Sequence, residues 1–197
     1  MDIQINNKNI DISHYFDWAA TSPADEEILR DSLENSIESW ANPSSVHNLG
    51  KKAKICLDSA RDSVAKTLGV KSQNIFFTSG GTESNHIPLL AQLNKPSTGT
   101  ILISSIEHPA IREQANALSK CGWKIVSIPS DKDGIITADA VENLLTNDTT
   151  LVCVMAVNNE TGSIQPIYEI ADRITKWSQG KRKPKFHVDC VQAAGKI

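Results

Sequence analysis

No stretch of this 197-residue sequence approaches the roughly 18 consecutive apolar residues of a membrane-spanning helix. The opening segment, MDIQINNKNIDISHYFDW, lacks a basic stretch followed by an apolar one, so no export signal is expected and the chain reads as cytoplasmic. Cys56, Cys121, Cys153 and Cys190 lie far apart and none belongs to a C-x-x-C pair. Zinc-site spacing is therefore missing and no disulfide framework is implied; all four are expected as reduced thiols packed as small hydrophobes. Charge of one sign does not dominate either. A net charge of −3 with 40% hydrophobic residues describes an ordinary globular chain and suggests neither a nucleic-acid nor an anionic-membrane partner. The run GKRKPK at 180–185 has no aromatic interleaving and sits where a helix must turn back into a strand, which favours a solvated loop over a nucleic-acid patch. No internal repeat appears, and neither G-x-G-x-x-G nor G-x-x-x-x-G-K-[ST] occurs.

What is present is a regular alternation. Residues 23–39 place Ile28, Leu33 and Ile37 at mostly helical spacing behind the acidic Asp25, Glu26 and Glu27, which suit a helix N-terminus. Residues 50–68 repeat the pattern with Ala53, Leu57, Ala60, Val64 and Leu68 on one face and Gly69 at the stop. Strands are expected at 100–104, 124–128, 150–157 and 185–189, with helices at 109–120, near 137–145 and near 166–178. Strands alternating with helices predict an α/β layer with a mainly parallel sheet flanked by helices.

One turn stands out, FFTSGGTESNH at 76–86. Ile75, Phe76 and Phe77 read as a short buried strand, and the paired Gly80 and Gly81 cannot continue it. Thr82 to Asn85 then open a helix, in which Pro88 is expected only within the first turn. Such a turn either simply joins strand to helix or offers unpaired N–H groups and a helix dipole to an anion, phosphate above all. In open α/β sheets ligands collect outside the carboxyl ends of strands. There the sequence sets this turn, Glu107-His108, Asn158-Asn159-Glu160, and Asp189 with Gln192. Each has a structural reading alone, such as a helix cap for the aspartate; four on successive strand ends argue for a site.

The segments YFDWAATSP, NPSSVHNLGKKA, FTSGGTESNH, SSIEHPAI, DKDGII, VNNETGSIQP and HVDCVQAAGKI resemble, in order and spacing, the class V aminotransferase group, and within it the cysteine desulfurases. The resemblance implies the large-domain fold of pyridoxal 5′-phosphate (PLP) transferases. It implies that Gly81 and Thr82 bind the cofactor phosphate, that His108 stacks on the pyridine ring as a catalytic residue placed to help move protons, and that Asn159 lies beside the phenolic oxygen. It further implies that Gln192 hydrogen-bonds that oxygen and that Asp189 pairs with the ring nitrogen. The last role has independent chemical sense, because a carboxylate there keeps the nitrogen protonated and the ring a stronger electron sink.

The resemblance also has departures. Many relatives carry alanine where this chain has Gly81. The lysine that carries the cofactor in the family lies beyond HVDCVQAAGKI, as do the mobile-loop cysteine, the carboxylate-gripping arginine and the small C-terminal domain. None of the four cysteines matches that nucleophile, and Lys196 does not match the cofactor lysine. The expectation is thus an N-terminal segment (1–22) and an incomplete PLP-binding domain (23–197), inactive alone and binding PLP weakly. Alternatives are a non-catalytic remnant that dimerises or binds phosphate compounds, and a selenocysteine lyase or other class V enzyme. As in the family, a homodimer is expected, with a second polypeptide supplying the C-terminal part and sulfur-acceptor proteins serving the complete enzyme.

Overall fold

The computed structural model describes residues 13–197, so part of the 1–22 segment lies outside the described residues. The chain divides into two compact units, Met1–Phe77 and Thr78–Ile197.

Among its described residues the first unit carries two α-helices. Helix α1, Glu26–Glu38, starts where the acidic cluster places it: the Asp25 carboxylate caps it by accepting from the N–H groups of Glu27 and Ile28. Helix α2, Asn48–Leu68, ends at Gly69, whose φ of 65° is the left-handed conformation that a helix C-terminus favours in glycine. The apolar spacing marks these helices correctly but not their burial. Of the proposed α2 face only Ala53 is buried; Leu57, Val64 and Leu68 are exposed, as are Ile28, Leu33 and Ile37 of α1. The strand expected at Ile75–Phe77 does not form. No strand among the described residues pairs with that segment, and Phe76 and Phe77 are 79% and 49% exposed, with the Arg61 guanidinium over the Phe77 ring.

The second unit is the α/β layer. Helix α3 (Gly81–Leu90) precedes β1 (Thr100–Ser104), α4 (Pro109–Lys120), β2 (Lys124–Ile128), α5 (Ala138–Leu144), β3 (Thr149–Cys153), α6 (Ile167–Trp177) and β4 (Lys185–His187). All pairings are parallel, in the order β2-β1-β3-β4. Helices cover both faces of the sheet, so strand residues of either parity are buried and β1 and β3 are buried along their whole length. Leu102 and Val152 face one cluster with Ile128, Val141, Ile170 and Ile174. Ile101, Ile103, Leu151 and Cys153 face the other, with Leu89, Ile111, Leu118 and Trp123.

Two expected strands are shorter than their apolar runs. β3 stops at Cys153 and β4 at His187, yet the hydrogen bonding continues, Val154 N–H to His187 C=O at 3.1 Å and Ala156 N–H to Asp189 C=O at 2.8 Å. Pro88 stands at the eighth of ten positions in α3, not in the first turn. The helix tolerates it there because it is ending: the chain tightens into a 3-10 turn at Ala91–Asn94, and the Pro88 carbonyl accepts from Gln92 Nε2 at 2.9 Å. The cysteines are free, as expected, but only Cys153 is packed in the interior; Cys121 and Cys190 are exposed. The residues of GKRKPK are solvent-exposed except Pro184, and Lys181 lies over the Trp177 ring.

Candidate active site

A parallel sheet in this order has a topological switch point between β1 and β3, because the chain leaves β1 toward β2 on one side and returns to β3 on the other. Ligand sites form outside the strand carboxyl ends at such a point. Three loops and one helix start converge there.

The helix start is that of α3. Gly80 has a φ of 157° and nothing within 4 Å of where a side chain would begin, so glycine supplies the backbone turn. At Gly81 the requirement is space: a Cβ would fall 2.6 Å from Val191 Cγ2. The first helical hydrogen bond runs from Ser84 N–H to the Gly80 carbonyl, which leaves the N–H groups of Gly81, Thr82 and Glu83 ahead of it. Glu83 reaches back to accept from Ser79 N–H at 2.6 Å, and that bond holds its carboxyl below the usual range. Thr78 Oγ1 and Ser84 Oγ lie 2.7 Å apart and brace the turn. Thr82 is exposed.

Asp189 follows β4 and is buried, 6% exposed. Its Oδ2 accepts from Asn85 Nδ2 at 2.7 Å and its Oδ1 from Val191 N–H at 2.9 Å. The Asn85 carbonyl oxygen lies 2.9 Å from His187 Nε2. Burial lowers the pKa of His187, the nearby Asp189 charge opposing it; a neutral imidazole with its proton on Nε2 completes the row His187, Asn85, Asp189. Sequence reasoning missed Asn85 and His187. The asparagine lies within the quoted glycine-turn segment, but its partner is far along the chain.

The β1 loop carries Glu107 and His108. His108 caps α4, its Nδ1 accepting from Ala110 N–H at 3.1 Å, and its ring is exposed. With Nδ1 so used, the neutral ring keeps its proton on Nε2. Glu107 is 4% exposed; burial first, and the Asp189 charge as a lesser cause, push its carboxyl up to about 7 against the bonds from Ser104 and Met155. The β3 loop is set by Asn158, whose Nδ2 donates to the Ile106 carbonyl at 3.0 Å while its Oδ1 accepts from the N–H groups of Glu160 and Thr161. Asn159 is half-buried beside it. Gln192 Oε1 accepts from Lys196 Nζ at 2.7 Å.

The six residues singled out in the sequence thus divide. Gly81 and Asp189 belong to one packed unit through Val191 and Asn85. His108 and Asn159 stand on the two neighbouring loops, which the Asn158–Ile106 bond joins. Thr82 lies at the helix start, and Gln192 just beyond Asp189. The donor set fits PLP. Free helix-start N–H groups suit a phosphate, and a buried acceptor-only carboxylate suits a protonated ring nitrogen.

Residues 14–197 match the family model described as aminotransferase class V. A cysteine desulfurase IscS of Dictyoglomus turgidum is 37% identical over 185 residues, 93% of this chain and 46% of that protein. A NifS/IcsS protein homolog of Lactobacillus delbrueckii subsp. bulgaricus is 39% identical over 184 residues, 92% of this chain and 47% of that protein. Among solved structures, a NifS-like protein gives a TM-score of 0.84 at 36% identity, covering 91% of this chain and 49% of that one. SspA in complex with cysteine gives 0.81 at 31% identity, covering 88% and 49%. A C-DES mutant with glycine linked to its PLP cofactor, 21% identical, shares the fold with a TM-score of 0.76, covering 94% of this chain and 49% of that one. The chain spans about half the length of the curated relatives it matches. With the family model matched over residues 14–197 and the parallel α/β fold shared with a NifS-like protein, the chain belongs to the class V aminotransferase family.

Proposed function

We propose that this chain is the N-terminal, cofactor-holding part of a PLP-dependent cysteine desulfurase, which converts L-cysteine to L-alanine and passes the sulfur to an enzyme thiol for iron–sulfur clusters or thio-cofactors. The observation that carries the reading is the tie between Asn85 and Asp189. It sets the helix start that would take a phosphate and the carboxylate that would take a ring nitrogen at a fixed separation on one rigid support.

PLP, when bound, supplies an electron sink for chemistry at the substrate's α-carbon. The chain's own residues have narrower tasks. The N–H groups of Gly81 and Thr82 and the Thr82 hydroxyl bind phosphate. Asp189 holds the proton on the ring nitrogen, and burial with two hydrogen bonds keeps it in place. His108 would serve the cofactor ring and would exchange protons at Nε2, since Nδ1 is committed to the α4 backbone. Asn159 and Gln192 would serve the phenolic oxygen. Cys153 is buried, with its thiol pushed up by burial and by Glu107, which argues against it as the sulfur acceptor. The lysine and cysteine of the complete reaction belong to the family's remaining length, supplied in the same or a second polypeptide.

Self-association fits the same reading: Ile87, Leu90 and Leu93, on α3 and the turn after it, and Val191, beside Asp189, are exposed apolar residues. Sedimentation equilibrium of the chain checks this, a monomer at micromolar concentration counting against it. The function itself is tested by equilibrium dialysis of PLP against the chain, and by alanine release from L-cysteine once the chain is joined to the family's remaining length. Reversible PLP binding that Asp189→Asn weakens is expected. Binding indifferent to Asp189, or alanine release unaffected by its loss, would sink the assignment.

A further inference from the structure

Glu107 and Asp189 are the two carboxylates buried among the described residues, and only Asp189 has a role so far. Glu107 sits at the switch point itself. Its Oε1 accepts from Ser104 Oγ, at the end of β1, at 2.6 Å, and from Met155 N–H, just past β3, at 2.7 Å. The strands it joins are the two central ones, whose loops carry His108 and Asn159. Its other oxygen, Oε2, is buried with no hydrogen-bond partner among the described residues.

An unpaired anionic oxygen in such a place costs far more than a neutral hydroxyl. The groups around it do not offset that cost. Asp189, beyond β4, adds negative charge; Cys153, on β3, is a buried thiol that feels Glu107 as a repulsive charge. His187, on β4, is itself driven toward the neutral form by burial and answers to Asp189. His108 is next in the chain, but its ring is exposed and caps α4. No lysine or arginine among the described residues contributes to the ionisation of Glu107, and its pKa is accordingly raised to about 7.

We propose that Glu107 is a positioning residue: held as the neutral acid, its carboxyl fastens the carboxyl ends of β1 and β3 together and so fixes where His108 and the Asn158–Asn159 turn stand. Met155 N–H and Ser104 Oγ both converge on Oε1, which leaves Oε2 to carry the proton. Loss of that proton places a second negative charge beside Asp189 and changes the pull on the bonds from Ser104 Oγ and Met155 N–H, which an anionic Oε1 accepts more strongly, so the two strand ends shift with its titration. The proposal rests on the reading of the site as a cofactor site only for what His108 and Asn159 do; the fastening itself is a property of the chain without ligand.

The test is carboxyl-carbon NMR of the chain labelled at glutamate side chains, titrated alongside its backbone amide spectrum, with no cofactor present. One glutamate resonance is expected to titrate with a midpoint of about 7 and to be absent from Glu107→Gln. The amides of Met155, His108 and Asn159 move with that midpoint in the wild type. In Glu107→Gln, whose amide keeps an acceptor oxygen on the same donors, they stay near their low-pH positions throughout. A Glu107 carboxyl that titrates with the other glutamates overturns the proposal, and so does one that titrates high while those amides stay still. Because no PLP is added, this result is independent of whether PLP binds.

Discussion

Asn85 Nδ2 donates to Asp189 Oδ2 at 2.7 Å across 104 residues of sequence, and this bond decides the orientation of every polar group around it. A carboxylate only accepts, so the asparagine must present its amide nitrogen to Asp189. Its carbonyl oxygen must then face His187 Nε2, which fixes the tautomer of that ring. Asn85 lies about one helical turn from Gly81 and Thr82 on α3. A single side chain therefore joins the start of α3 to the carboxylate.

Replacing Asn85 with alanine should take the buried partner from Asp189 Oδ2 and from His187 Nε2. Loss of a buried bond to a charged group costs about 1–3 kcal/mol, so the urea midpoint of the chain should fall accordingly and PLP affinity should fall with it. Asn85→Asp, which sets two carboxylates face to face, should be worse at neutral pH than in mild acid. An alanine variant as stable as the wild type in urea would mean that the row of hydrogen bonds does not support the site.

Gly81→Ala puts a methyl 2.6 Å from Val191 Cγ2, a distance at which one of them must move. Overpacking of this kind costs about 1–3 kcal/mol. The partner residue is named, so the double variant Gly81→Ala with Val191→Ala should recover most of the loss in thermal melts and in phosphate or PLP binding. Equal damage in the single and double variants would show that Gly81 is required for its backbone and not for space.

Much of this architecture is legible in the sequence, and the illegible part has a common cause. β1, β2, α4 and α6 follow their periodicity closely because each is a local pattern packed on one sheet. Asp189, His108 and Gly81 could be placed at strand ends and a helix start by the same local reading. Phe76 and Phe77 read as a buried strand because apolarity is local while strand pairing is not, and no strand among the described residues pairs with them. Asn85 was invisible as a site residue for the same reason: a helical asparagine gains meaning only from a carboxylate far along the chain. Glu107 looked like a companion of His108 until the sheet order brought β3 beside β1 and Met155 N–H onto its oxygen.

Asp189→Asn separates structure from chemistry. The substituted amide keeps one oxygen for Val191 N–H and turns an NH2 toward Asn85, which must flip to accept it and present its own NH2 to His187, so only a modest loss of stability is expected. The charge that would hold a proton on a ring nitrogen is gone, and PLP affinity should drop by about tenfold or more, each tenfold being about 1.4 kcal/mol. Dialysis against PLP beside a urea titration gives both readings. A large loss of stability with unchanged PLP affinity would assign Asp189 to the fold instead of to the cofactor.

Glu107 and His187 should give the stability of this chain opposing dependences on pH. The folded chain holds the Glu107 proton up to about pH 7, whereas the unfolded chain releases it near 4.5. Between those values the folded state binds more protons, so this contribution is full below the lower one and is lost as pH rises toward the upper, on the order of 3 kcal/mol in all. His187 works in the other direction. Its folded pKa lies below the 6.5 of the unfolded ring, chiefly through burial, so its contribution is present above 6.5 and is lost as pH falls through the folded value. In the wild type the two slopes partly cancel across the mildly acidic range. Urea midpoints measured from about pH 5 to about pH 8 should therefore vary little in the wild type, rise with pH in Glu107→Gln, and fall with pH in His187→Gln. If the Glu107→Gln curve runs parallel to that of the wild type, Glu107 does not change its protonation between the folded and unfolded chain in this range, and the buried oxygen at the switch point is solvated in a way that its surroundings do not reveal.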